Sequence, residues 1–404
     1  LVAGVFTLAR RLGGTGAAIV SIVPLVLTPD GEPRLIRTIM EAHSAPLDGA
    51  LTVWAVERHL AGRHGVAVAL LVALSLSRPE AWPFLLGAGL WMAWASPRRR
   101  LAVLGAWLVV PVLWFGGDWW GSGDPLSGAG SAQVDDDEGL VERFVEAAQT
   151  VGSMVVIPVW VLAGAAVLLA WHARGREATT DADGENDDRA ASLSSTMAVA
   201  GLAAAWCAVV IGMASLLGYA ALSRFTLPAV TLVCALAGTG AVGAWSAIVS
   251  GRWRRPIVGV VAALVAAVST PQLVDRVTGL ADVRREIRAR ALLSEDLPDV
   301  IAAAGGRDAV LGCGGPVAVQ GVTLLLPTVA WELDLPLSAM RTTHEPGPAV
   351  LLVIAGGEQE AEILAAEDTI RTLARSTVWA VHALDCPRDE PAPLPTSDEE
   401  TSSP

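Results

Sequence analysis

The sequence predicts a polytopic α-helical membrane protein with a small α/β domain outside the membrane at its C-terminal end. Three observations predict it. The 404 residues are 53% hydrophobic and 17% charged, with a mean hydropathy of +0.50, too apolar for an ordinary soluble fold. Arginines recur in alternate connections between apolar runs. After about residue 270 the long apolar runs give way to short β-like runs mixed with charged, helix-periodic sequence.

A spanning helix needs about 20 apolar residues, fewer where its ends lie in the interface. Candidate runs are Leu1–Leu8, Ala17–Leu27, Leu47–Val56, Val66–Leu76, Trp82–Ala95, Leu101–Phe115, Val151–Trp171, Met197–Leu217, Phe225–Val249 and Ile257–Val268. They give about nine or ten helices over residues 1–270. The sequence opens on Leu1 inside an apolar run, with neither an initiator Met nor a signal-peptide n-region, so we expect the true start upstream.

Orientation follows from Arg10-Arg11, Arg58 with Arg63, Arg98-Arg99-Arg100, Arg174 with Arg176, and Arg252-Arg254-Arg255. The positive-inside rule makes these loops cytoplasmic. Thr28–Pro46, the turn at Arg78–Glu80, Gly116–Thr150, Gly218–Arg224 and everything after about Thr270 then face outward. Thr28–Pro46 is amphipathic, with Leu35, Ile36, Ile39 and Met40 at helical spacing against Arg34, Arg37 and Glu41, and suits a surface helix. Gly116–Thr150 carries Trp119-Trp120, suited to an interface, and Asp135-Asp136-Asp137-Glu138. That acidic run is either a solvated loop or a set of oxygen ligands for a divalent cation. Glu177–Arg189 reads as a linker.

In the C-terminal part, Val274–Leu293 has apolar residues at helical intervals. Ala309–Gly312, Val322–Leu326, Val350–Ile354 and Val378–Leu384 are β-like, and Ala361–Ala374 is helix-like. Together they imply an α/β domain over 271–386, with a disordered tail over 387–404. Gly312-Cys313-Gly314-Gly315 lacks the rest of a dinucleotide fingerprint and is weak evidence for phosphate. Cys313 and Cys386 are placed to pair if this part is exported, although spacing alone does not bring them together. Cys207 and Cys234 sit in apolar helices as core residues. No Cys/His cluster has metal-ligand spacing, so no metal site is assigned.

The net charge of −13 and the lack of a basic aromatic patch exclude a nucleic-acid partner. All the non-histidine basic residues are arginine, a compositional bias rather than a mechanism. Chemistry concentrates at Ser77-Arg78-Pro79-Glu80-Ala81-Trp82, between two uncharged runs. A cation and an anion this deep in apolar sequence face a bundle interior or a wet cavity, usually paired. Pro79 ends the preceding helix and forces Arg78 out of helical geometry. Arg78 and Glu80 then either clip two helices together or form part of a site.

Three stretches carry a resemblance. Ser44-Ala45-Pro46-Leu47 is similar to a Ser-Glu-Pro-Leu helix start, with Ala45 in place of the acid. Ser77-Arg78-Pro79-Glu80 followed by Trp82 resembles the Arg-Pro-Glu turn of many actinobacterial members. Ser223-Arg224-Phe225-Thr226-Leu227-Pro228 is similar to an Arg-Tyr-Leu-x-Pro helix start. The chain over about 1–270 thus resembles the GT-C glycosyltransferases, multi-pass enzymes such as the protein O-mannosyltransferases and the lipid A aminoarabinose transferases.

That resemblance implies a GT-C-like bundle in the plasma membrane, acting at its outer face. It implies a polyprenyl-phosphate sugar donor and an envelope glycan, lipid or protein acceptor. A divalent cation or arginines stabilise the departing phosphate in such enzymes. Arg78 and Arg224 suit phosphate oxygens, and Arg224 equally suits an interfacial anchor. The family's usual catalytic Asp lies in a first outer loop, which the resemblance leads us to expect upstream of Leu1. The acids and bases present on the outer side are Glu41, His43, Asp48 and Glu80, with Glu80 ranked first as a structural or electrostatic partner of Arg78 and not as the base. Two rivals are a transporter or flippase for lipid-linked glycans, and a non-catalytic envelope-assembly protein. No internal repeat supports the transporter.

Overall fold

The computed structural model describes residues 1–26, 44–133, 139–177, 187–220, 222–249, 254–322, 325–342, 347–366 and 370–386. The chain forms two compact units, Leu1–Val283 and Arg284–Pro404. The sequence suggests a division after residue 270; the units meet at Val283, inside one helix. The amphipathic segment with Glu41 and His43, the acidic run 135–138, most of the linker and the tail 387–404 lie outside the described residues.

The first unit is helical. Its elements are α1 (Val2–Val26), α2 (Ala45–Leu60), α3 (His64–Ser77), α4 (Trp82–Ala95), α5 (Arg100–Ser122), the short α6 (Ser127–Ala132), α7 (Leu140–Ser153), α8 (Ile157–Glu177), α9 (Asp187–Leu217), α10 (Leu227–Val249) and the start of α11 (Arg254–Ala303). The two runs expected at Leu1–Leu8 and Ala17–Leu27 are one element, broken at Gly14 with φ 81° and ψ −176°. Only glycine adopts that backbone without strain. The run expected at Val151–Trp171 begins as two helices, α7 and α8, with the break at Met154–Val156. Pro158 stands in the first turn of α8, where its missing N–H removes no helical bond. The span expected at Ile257–Val268 and the helix expected at Val274–Leu293 are both parts of the continuous α11.

Among the described residues four helices are long and apolar enough to cross a bilayer: Pro97–Gly121, Ile157–Arg174, Ala191–Leu217 and Arg224–Ala247; His64–Ser77 is apolar but shorter. Burial separates them. The Arg224–Ala247 helix is 72% buried and the Pro97–Gly121 helix 11%, so α10 is the post around which α1, α2, α8 and α9 pack. Small residues make this close packing feasible, as membrane helices require. A Cβ on Gly238 would lie 2.3 Å from the Ala17 carbonyl oxygen, and one on Gly240 would lie 1.8 Å from that of Leu162.

One end of α2 is held by charge: Arg11 Nη2 lies 3.1 Å from Glu57 Oε1, and Arg58 Nε lies 2.6 Å from Glu57 Oε2. Ser192 Oγ donates to the Leu12 carbonyl at 2.8 Å, bringing the start of α9 to the same end. Of the five arginine-bearing connections that the sequence assigned to one side, two, at Arg11 and Arg58, therefore meet on one carboxylate.

The second unit contains the end of α11, α12 (Gly306–Leu311), α13 (Leu326–Glu332), α14 (Glu358–Ala366) and a five-stranded sheet. The strands are β1 (Val317–Val319), β2 (Met340–Arg341), β3 (Ala349–Ile354), β4 (Ile370–Arg375) and β5 (Trp379–Leu384), in the order β2-β1-β3-β5-β4. β1 runs parallel to β2 and β3, while β3, β5 and β4 are antiparallel. Leu297 and Val300 of α11 pack with Val350, Leu352 and Val381 in its core. Buried Trp379 donates from Nε1 to the Leu293 carbonyl at 2.7 Å.

β3 and β5 fall on their expected runs. Three expectations are corrected. Ala309–Gly312 belongs to α12 and its end rather than to a strand, because a short apolar run has no decisive period. The expected strand at Val322–Leu326 is displaced: the strand is Val317–Val319 and Leu326 starts α13. The expected helix Ala361–Ala374 stops at Ala366, and Ile370–Arg375 pairs with β5 through a bulge between Thr372 and Ala374. There β-branched Ile370 and Thr372 suit the strand that pairs with β5. Cys313 and Cys386 form a disulfide. The glycines around Cys313 serve packing: Gly314 has φ +72°, and a Cβ on Gly315 would meet the Pro348 carbonyl oxygen at 1.7 Å. Cys234 is fully buried and Cys207 partly so.

Candidate functional site

The site begins with a proline. Pro79 has no N–H to give the carbonyl four residues back, so Ser75 O loses its helical donor and α3 ends. Two indoles take that carbonyl instead, Trp82 Nε1 at 3.0 Å and Trp114 Nε1 at 3.2 Å. Arg78 takes the extended backbone that a residue before proline prefers, with φ −141° and ψ 112°. The turn is thereby fixed, and it presents Arg78 and Glu80, both buried, at one end of the bundle.

The partner of Arg78 is Asp48, in the first turn of α2, and not Glu80. Asp48 is fully buried. Its Oδ2 accepts from Arg78 Nε at 2.7 Å and from Ser44 Oγ at 3.1 Å, and its Oδ1 accepts from Ser77 Oγ at 2.7 Å. Arg78 Nη2 donates to Ser44 Oγ at 3.2 Å. Ser44 is the N-cap residue of α2 yet makes no side-chain cap; its hydroxyl serves the ion pair instead. A buried pair needs such additional bonds to offset desolvation.

Glu80 is left over. It is 4% exposed, and its Oε2 is buried with no hydrogen-bond partner. Burial pushes its carboxyl above the ordinary value of 4.5; a backbone N–H and the charges of Arg78 and Arg224 oppose that rise, and Asp48 adds to it. Arg224 is exposed, and its guanidinium lies over the Phe225 ring at 5.4 Å. The Arg78 guanidinium lies over the same ring at 5.0 Å. Phe225 is held from behind, since its carbonyl accepts from Trp206 Nε1 at 2.9 Å and Trp206 stacks on Phe84. One aromatic ring thus joins the two arginines that the sequence singled out.

A cavity of about 670 Å³ adjoins this end. It runs along α2 from Thr52, one turn below Asp48, to His59 and Leu60, and its wall includes Leu74, Phe84 and Trp206. Its lining is almost wholly apolar until His59 and His64, which contact each other and Trp91 at 4.6–4.9 Å. From Thr52 to Leu60 is a rise of about 12 Å along α2.

No family model and no curated protein matches the chain. A solved structure, ArnT from Cupriavidus metallidurans bound to undecaprenyl phosphate, is similar at 14% identity, with a TM-score of 0.49, over 95% of this chain and 81% of that one. A likeness of that size carries no weight for fold or for activity.

Of the six residues named from the sequence, four converge: Asp48, Arg78, Glu80 and Arg224. Glu41 and His43 lie outside the described residues. Sequence reasoning missed Ser44, Ser77, Phe225 and Trp206. Ser44 and Ser77 each open a motif already quoted, and Phe225 lies inside the third, but none was given a role; a hydroxyl beside a buried charge was the available signal. Nothing in the sequence marked Trp206. Among the described residues no group of three His, Cys, Asp or Glu is placed to hold a metal ion.

Proposed function

We propose that this protein transfers a sugar from a polyprenyl-phosphate donor to an envelope acceptor, at the end of the bundle that carries Glu80 and Arg224. On this reading that end and the second unit both face outward across the plasma membrane. The observation that carries the proposal is a buried carboxylate with one unpartnered oxygen beside a guanidinium with no hydrogen-bond partner among the described residues. An apolar cavity of a size suited to a lipid chain begins at Thr52, one turn of α2 from Asp48, and is walled by Phe84 and Trp206 rather than by Glu80 or Arg224 themselves. The motif resemblances at Ser44–Leu47, Ser77–Trp82 and Ser223–Pro228 support the same class.

The chemistry follows from the parts. The acceptor hydroxyl gives its proton to Glu80, its oxygen bonds to the anomeric carbon, and the bond from that carbon to the phosphate oxygen breaks. The phosphate leaves with the electron pair, and Arg224 holds the negative charge as it grows. Arg78, committed through Nε and Nη2 to Asp48 and Ser44, supplies a fixed positive charge beside it. A carboxyl raised by burial is the stronger base once ionised, which suits proton abstraction near neutral pH. Asp48 is a positioning residue that acts through Arg78.

The test uses the full-length protein in membranes with a panel of radiolabelled polyprenyl-phosphate sugars. Transfer by the wild type, lost in Arg224→Gln and Glu80→Gln with the fold intact, supports the reading. No transfer across the panel by a folded wild type sinks it in favour of transport or assembly. Transfer that survives both substitutions keeps the enzyme and removes this site.

A further inference from the structure

A second cavity, of about 560 Å³, opens where the α2–α3 and α4–α5 connections come together, at the end of α2 away from Asp48. Arg63 and Arg99 line it, with Val68, Val72, Met92 and Ala102. Both arginines are exposed. Among the described residues Arg63 has no carboxylate partner, and the one side-chain contact of Arg99 is to Met92 Sδ at 4.0 Å. Arg63 and Arg99 are also the residues immediately before α3 and α5, whose starts carry no side-chain cap. Two positive helix ends therefore add to the two guanidiniums. His64, on the same lining, has a buried Nδ1 without a partner.

We propose that this cavity binds one anionic diacyl phospholipid, its phosphate between Arg63 and Arg99 and one acyl chain along the wall of α3 and α5. Charge complementarity selects the occupant. A second apolar helix would leave two guanidiniums desolvated and unpaired, at a cost no apolar contact offsets. A free phosphate would have no use for a wall of valine, alanine and methionine. An anionic lipid satisfies both parts, and basic pockets between membrane helices suit such headgroups. Ala102 is exposed on the cavity wall, which leaves room for a chain where a larger residue would fill it.

The test is native mass spectrometry of the full chain released from nanodiscs containing equal phosphatidylglycerol and phosphatidylcholine. The wild type is expected to retain one phosphatidylglycerol in preference to phosphatidylcholine. R63Q/R99Q should weaken that retention about twenty-five-fold, at roughly fivefold per arginine facing an anionic headgroup. R98Q/R100Q removes the same charge from residues off the cavity lining and should leave retention unchanged. Ala102→Phe keeps every charge but fills the wall, and should lose the lipid too. Equal retention of the two lipids by the wild type, or equal loss in R98Q/R100Q, overturns the proposal in favour of non-specific surface attraction.

Discussion

Asp48 in the first unit and Glu360 in the second both lie buried against an arginine, and they differ in what surrounds them. Glu360 is 2% exposed, and its Oε2 accepts from the Gly356 N–H while Arg375 meets both oxygens with its two terminal nitrogens. Fully buried His382 lies 3.1 Å from Glu360 Oε1 through Nε2, and its Nδ1 lies 3.2 Å from Thr372 Oγ1. Every member has a partner, and the cluster ties α14 to β4 and β5. Asp48 is equally satisfied, but beside it Glu80 keeps an unpartnered buried oxygen and Arg224 an uncommitted guanidinium. A buried ion pair is therefore weak evidence for a site. The open valence next to the pair is the better marker, since it costs stability and awaits a ligand.

The largest effect should separate the two clusters by function. Glu80→Gln should lower sugar transfer by about 10²–10⁴-fold, the usual range for a lost general base, without lowering thermal stability, because it removes a charge that burial already disfavours. Glu360→Gln should leave transfer per folded molecule unchanged. Equal loss of transfer from both would erase the distinction.

Next comes stability. Asp48→Ala strands the 7%-exposed Arg78, and breaking such a pair costs about 3–5 kcal/mol. Glu360→Ala strands Arg375 as well, but that side chain is 48% exposed, so water screens it and the loss should be about 2 kcal/mol. Thermal unfolding of the full chain, with hydrogen exchange read over residues 349–384, assigns each loss to its unit.

The two groups should also answer pH with opposite signs. Burial pushes the Glu360 carboxyl upward, but the Gly356 N–H, His382 and Arg375 outweigh it and hold the group below its ordinary value of 4.5. Its stabilising contribution is complete above the unfolded value and is lost as pH falls through the lower folded one. Glu80 is raised, so its ionised form is disfavoured in the fold, and protonation as pH falls through its folded value stabilises. The hydrogen-exchange protection factors in β3–β5 should therefore fall below about pH 4.5. Transfer, which needs Glu80 ionised, should instead begin to fail at a pH above the ordinary carboxylate range. A transfer profile flat down to pH 4 would remove Glu80 as the base.

What the sequence made legible was local. Pro79 between two apolar runs told where a helix ends, and with it where Arg78 and Glu80 stand. The pairing was not legible, because Asp48 lies 30 residues away from Arg78 and only packing of α2 against α3 brings them together. The nearer Glu80 was the natural expectation from spacing. Glu360 and His382, 22 residues apart, carried no signal at all, since their meeting depends on α14 packing against β5 of the sheet. The disulfide was legible only as two cysteines in one unit. Helix interiors were read well, and Trp82–Ala95 was read to the residue. The kink at Gly14 falls in the gap between the two runs read as Leu1–Leu8 and Ala17–Leu27, whereas the break at Met154–Val156 was not read, because hydropathy runs across it.

The smallest effects probe how far water reaches into each cluster. Ser77 is half-buried and Thr372 exposed, and each gives one hydrogen bond to its cluster. Ser77→Ala removes a donor from a fully buried carboxylate, and a bond to a charged group is worth about 1.5 kcal/mol at the low end of its range. Thr372→Val should cost about 0.5 kcal/mol, because water can replace a hydroxyl at an exposed strand position. Chemical unfolding of both variants measures the difference. Equal costs would mean that water reaches Asp48 as readily as it reaches His382, and the Asp48 end would then lack the dry surroundings that make its open neighbour reactive.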